Sequence, residues 1–236
     1  MIDPGVQQHI LTAEQLEEAQ REFLRRVFGW MAAGLMLTGI TAMLTISTPE
    51  MLEFIFGGRF VYLGLILAQL GLVVWLSARV GAMSAVTATL VFLAYSLLTG
   101  VTLSAVFLIY TSSSLASTFF VAAGMFAVMF AYGSMTRRDL TGMGSFMAMG
   151  LIGIIIASVV NMFMHSEMIY WITTYIGILV FVGLTAYDAQ QIKAMSVVVL
   201  EGGEAEQKGA IIGALRLYLD FINLFLLLLR LLGRRR

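Results

Sequence analysis

Cysteine is absent from the 236 residues, which excludes disulfides, thiol catalysis and cysteine-ligated metal sites. Charge is scarce as well. Asp, Glu, Lys and Arg make up 12% of the chain, against roughly 25% in ordinary soluble domains. Histidine occurs only at His9 and His165, and the formal net charge is zero, so neither a histidine metal site nor a nucleic-acid partner is indicated. The opening stretch MIDPGVQQHILTAEQLEEAQREFLRR lacks the short apolar core and small-residue cleavage site of a signal peptide. Residues 1–26 are therefore expected to stay as a cytoplasmic N-terminal tail or surface helix. HExxH, GxSxG, a phosphate loop and a rhomboid-like serine–histidine arrangement are all missing. The chain reads as a non-enzyme without a cofactor.

Apolar surface is what the chain has in excess. Hydrophobic residues reach 60% and mean hydropathy is +0.93. Such a surface needs lipid as its solvent, and runs near 20 residues are long enough to span a bilayer. Seven runs can be read, near 27–46, 60–78, 84–109, 115–134, 144–164, 169–195 and 210–232. The breaks fall at Pro49 and Glu50, at Arg79 with Gly81, and at TSSS (111–114). The later ones fall at MTRRDLTG (135–142), MHSE (164–167) and EGGEAEQKG (201–209). Backbone polar groups in lipid must pair within the segment, and no alternating barrel pattern is present, so the expected fold is an all-α, polytopic membrane bundle. It occupies 27–232, followed by a basic tail at 233–236. Glycines at 29, 34, 39, 100, 124, 144, 150 and 153, with Ala94 and Ser104, are read as close-packing positions, with hinges the competing role. The 16 methionines read as adaptable core filler.

Lys and Arg set the expected orientation. Arg21, Arg25, Arg26, Arg79, Arg137, Arg138, Lys193 and Lys208 gather at one end if the spans alternate. The other end collects Arg59, Glu50, Glu53, His165 and Glu167. The N-terminus is accordingly expected in the cytoplasm. The tail GRRR then falls outside, against the rule, unless the last segment is a re-entrant hairpin. That segment has no Gly or Pro from 214 to 232, which favours a full crossing.

Of the 14 acidic residues, 12 lie in the tail, the loops or the membrane edges. The other two are Asp188 and Asp220. A carboxylate at mid-membrane costs roughly 2.5–3.5 kcal/mol on insertion scales, so neither is a casual surface charge. Counting at about 1.5 Å per residue, Asp188 lies roughly 10 Å from the end of the sixth run and Asp220 roughly 15 Å into the seventh. Two antiparallel neighbours thus carry their carboxylates at similar depth. Close carboxylates cannot both ionise cheaply, so a shared proton or a bound cation relieves them. Calcium, which takes oxygen ligands, suits a transient site of this kind. The plainer alternative is a hydrogen-bonded pair that only stabilises the bundle. Arg216 at i−4 and Asn223 at i+3 from Asp220 could tune the pair, as could Tyr187 and Tyr218 beside the aspartates. Arg79 could reach in as a counter-ion or simply snorkel to the headgroups. An intramembrane aspartyl protease also uses two aspartates, but the GxGD setting of those enzymes is replaced here by TAYD and LYLD.

At these residues the sequence resembles the Bax inhibitor-1, or transmembrane BAX-inhibitor-motif, family in its bacterial branch. The strings that carry the resemblance are GLTAYDAQQIK (183–193) and GALRLYLDFINLFLLLLRLLG (213–233), supported by TGVTLS (99–104). It extends from about residue 21 onwards. The resemblance implies six helices around a hydrophobic seventh and a pH-sensitive calcium leak. It implies a diaspartyl sensor at Asp188 and Asp220 and an arginine partner after the second helix, where Arg79 is nearest. A glutamate in the second helix of some members has no acidic counterpart, and Gln69 is the closest polar residue. The expected function is thus a pH-gated calcium leak of a bacterial inner membrane. A non-conducting protein that regulates a membrane protease or stress-response complex is the alternative.

Overall fold

A computed structural model describes residues 13–198 and 203–236. It contains α1 (Ala13–Ser47), α2 (Pro49–Phe56), α3 (Arg59–Arg79), α4 (Ala85–Ile109), α5 (Ser112–Met135), α6 (Thr141–Met164), α7 (Glu167–Val198) and α8 (Glu204–Leu232). All except α2 are long and apolar enough to cross a membrane, which gives the seven spans read from the sequence.

The helix ends have local causes. Ser84 accepts a hydrogen bond from Thr87 N at 3.1 Å and starts α4, and Thr111 accepts one from Ser114 N at 3.3 Å and starts α5. At the end of α6, His165 takes a left-handed backbone conformation (φ 51°), and its N–H closes on Asn161 O at 2.9 Å. Two boundaries take a definite form. Over its described part the polar start is helical: α1 runs unbroken from Ala13 into the first span, and Arg26 holds Glu22 at 2.7 Å on its exposed face. Residues 1–12 of the expected tail lie outside the described residues, as do 201 and 202 of the sixth break. The first break falls where expected, with α1 ending at Ser47 and Thr48 extended, and Pro49 opens α2, since the first helical turn has no use for its missing N–H.

α8 is the centre. Its apolar window is 56% buried, more than that of any other span, and it packs against α1, α4, α5 and α7. α3 and α6 lie further out. They pack chiefly on α4 and α7, and their apolar windows are 6% and 0% buried. The ring around α8 therefore has four inner helices and two outer ones that face the lipid. Small residues set the closest approaches. A Cβ at Gly100 would strike the backbone of Thr38 on α1, and one at Gly133 would overlap the carbonyl of Ala186 on α7. Gly29, Gly39, Gly124 and Gly153 have open space instead, so glycine content alone did not mark the contacts.

Contacts at the two ends fix the alternation. At one end Lys208 Nζ donates to Met83 O at 3.1 Å, and Arg26 lies 3.4 Å from Glu206. At the other, Thr111 N donates to Arg234 O at 3.1 Å and Arg236 N to Ile109 O at 2.9 Å. α8 is a single unbroken crossing. The basic tail is an extended segment paired with the α4–α5 junction, at the end away from α1's start.

Candidate functional site

The site grows from two antiparallel helices at the bundle centre. On α7, Thr185, Ala186, Ala189 and Ile192 are fully buried, and Ala186 seats the helix against Gly133 of α5. This stripe leaves Asp188 on the flank that faces α8. On α8, Ala214, Leu217, Tyr218, Phe221 and Leu224 are buried, and Asp220 is among them at 4% exposure. A carboxylate at that burial needs a partner, because desolvation of an unpaired charge costs several kcal/mol.

The partner is the other aspartate. The carboxyl groups of Asp188 and Asp220 lie within hydrogen-bonding reach of one another. Arg216, on α8, brings Nη1 to 3.9 Å from Asp188 Oδ1, a loose contact. Side-chain exposure falls from 45% at Arg216 to 15% at Asp188, and Asp220 is the innermost of the three. No donor among the described residues reaches Asp220 Oδ2. A proton shared by the two carboxyls would reduce the charge buried here. Two carboxylates with one guanidinium otherwise leave a net negative charge in an apolar wall, which is what attracts a proton or a hard cation. No third acidic or histidine side chain joins the pair among the described residues.

The other expected tuning groups are placed elsewhere. Tyr218 turns its hydroxyl to Thr38 Oγ1 at 2.6 Å, and its ring stands edge-on to Phe92 and Tyr95. The ring of Tyr187 covers Gly144 of α6 so closely that a Cβ there would overlap it. Asn223 returns its amide to Leu219 O at 2.8 Å. Arg79 is exposed at the end of α3 and makes no ion pair with either aspartate; the counter-charge at the pair is Arg216. Gln69 donates to Thr102 Oγ1 at 2.8 Å and so ties α3 to α4.

Two residues of the same motif make contacts that were not read from sequence, where Lys193 served only for orientation and Gln190 had no role of its own. Gln190 donates from Nε2 to Arg138 O at 2.8 Å and accepts from Leu140 N at 2.9 Å. Lys193 Nζ donates to Ser134 O at 2.9 Å. Together they fasten the α7 end nearest the aspartates to the α5–α6 turn. The available signal was their spacing of two and five residues from Asp188.

Residues 20–236 match the family described as "Inhibitor of apoptosis-promoting Bax1". The chain is 49% identical over 215 residues to the "Inner membrane protein YbhL" of Escherichia coli (strain K12), covering 91% of this chain and 92% of that protein. An "Uncharacterized protein" of Borreliella burgdorferi is 45% identical over 227 residues, covering 96% and 98%. A protein of Rickettsia prowazekii is 46% identical over 220 residues, covering 93% and 92%. With a match to nearly the whole chain and a seven-span bundle around α8, the protein belongs to the Bax inhibitor-1 family of membrane proteins.

Proposed function

We infer that this protein is a pH-sensitive cation leak of the bacterial inner membrane, with calcium as the ion, and that Asp188 and Asp220 are its gate. The observation that carries the reading is the buried carboxyl pair with one loosely held guanidinium and an oxygen that no donor reaches. The location follows the name of the E. coli relative and the seven apolar helices. A cytoplasmic N-terminus accords with the basic residues gathered at that end.

The sign of the switch follows from the charges. With one proton shared, the carboxyls attract and α7 is held against α8. When the proton leaves, two carboxylates face each other with only Arg216 to offset them, and the contact loosens. The same charges favour entry of a cation. Flux therefore rises with pH. A Ca2+ ion passing this point would take the aspartate oxygens, backbone carbonyls and water as ligands.

The test is calcium entry into dye-loaded proteoliposomes containing the wild-type chain, from about pH 5.5 to about pH 8.5. The expected result is entry above that of empty vesicles, rising with pH. Folded protein with no flux at any pH would sink the reading. The alternative, a non-conducting regulator of a membrane protease or stress-response complex, would then be pursued by capture of a partner.

A further inference from the structure

At the end of the bundle where the α4–α5 junction meets the basic tail, Arg230 and Arg235 are among the guanidinium groups with no carboxylate partner among the described residues. Arg230, in the last turn of α8, lies over the ring of Tyr170 with its Cζ 4.6 Å from the ring centre, and Nη1 reaches Thr174 Oγ1 at 3.5 Å. Arg235 reaches the hydroxyl of the same tyrosine at 3.5 Å. One cation thus lies on the face of Tyr170 and the other at its hydroxyl. The cleft they line has a volume of about 580 Å3. Glu167 also lines it but forms no ion pair with either arginine.

A second space of about 560 Å3 between α6, α7 and α8 adjoins this cleft, and Asn161, Tyr170 and Arg230 line both. The walls of the second space are mostly apolar, with Leu151, Ile155, Phe181 and Leu227 among them and Ser158, Thr173 and Asn223 the polar exceptions away from the cleft. From Tyr170 to Phe181 it follows eleven residues of α7, or about 16 Å. The space is open on its lipid side, where α6 is exposed along most of its length. A cationic pocket at the headgroup level that continues as an apolar groove into the membrane has the shape and charge of one amphiphile. Inorganic phosphate would leave the groove unused. A zwitterionic lipid would bring a cation towards two others. Guanidinium groups pair well with phosphate oxygens, and basic pockets between transmembrane helices take anionic headgroups.

We propose that this space binds one anionic glycerophospholipid, with its phosphate diester on Arg230 and Arg235 and an acyl chain in the groove between α6, α7 and α8. The bound lipid ties α6, which otherwise packs chiefly on α7, to the central helix. It also gives the arginines of GRRR a role at an end where the charge rule does not call for them.

The test is native mass spectrometry of the full chain in detergent, titrated with phosphatidylglycerol or phosphatidylcholine. Wild type is compared with Arg230→Gln, Arg235→Gln, Arg230→Lys and Ser158→Phe, the last placed to block the groove with both arginines intact. The expected result is one tightly held phosphatidylglycerol in the wild type. Each Gln variant should weaken it by about tenfold, Arg230→Lys by less, and Ser158→Phe should weaken it despite unchanged charge. Equal retention of the two lipids, or full retention in both Gln variants, overturns the proposal. Displacement of the lipid by inorganic phosphate, or unchanged affinity in Ser158→Phe, also overturns it and leaves only an anion pocket. Should Arg230→Gln fail to fold, Arg235→Gln and Ser158→Phe decide.

Discussion

Arg216 and Asp220 lie one turn apart on α8, yet both turn to the same residue, Asp188 of α7. The cation sits at the more exposed rim and the second carboxyl at the buried centre. This order leaves Arg216 the most exposed of the three and Asp220 the most shielded.

In the gate proposed above, Arg216 would set the pH at which the pair lets go of its proton. Its charge favours the doubly ionised form. Arg216→Gln should move the flux–pH curve to higher pH, because the shared proton is then held longer. Arg216→Lys keeps the charge and should move it less. Arg79→Gln, at a position with no ion pair to either aspartate, should leave the curve in place. Proteoliposome flux across the pH range distinguishes the three.

Gln190 predicts a mechanical effect. Its two hydrogen bonds to the α5–α6 turn should make Gln190→Ala destabilising by about 1–2 kcal/mol. Amide exchange at residues 136–141 should quicken before the rest of the bundle opens. Unchanged protection there would mean that the latch is dispensable.

Tyr218 separates structural from gating hydroxyls. Thr38 spends its proton on Ser96 O at 2.9 Å, so the Tyr218 hydroxyl is the donor to Thr38 Oγ1. Tyr218→Phe should lower stability by about 1 kcal/mol, read as a fall in melting temperature. The midpoint of the flux–pH curve should not move. A shift of that midpoint would place Tyr218 in the gate.

Asp188 and Asp220 could be found from sequence because carboxylates in apolar runs are costly, and helical rise then puts them at one depth. Side-chain direction was harder. Tyr187 and Tyr218 precede their aspartates by one and two residues, which on a helix is a rotation of about 100° or 200°, so they face other neighbours. Closeness in sequence misled where periodicity would have helped. Arg216 was picked for its spacing to Asp220, but its ion partner is across the interface. The latch by Gln190 depends on a turn about 50 residues away, and the pairing of the arginine tail with Ile109 and Thr111 leaves no pattern in the sequence. Both are tertiary contacts between polar groups, for which composition gives no register.

The most direct measurement is calcium flux against pH for Asp188→Asn, Asp220→Asn and the double variant, each checked for folding. Asparagine keeps the shape of a protonated carboxyl but cannot lose its charge state with pH. If the pair acts as one switch, each single variant abolishes the rise in flux with pH, and the double variant adds little to either. If one single variant keeps the full wild-type pH dependence, the two aspartates do not share the gate.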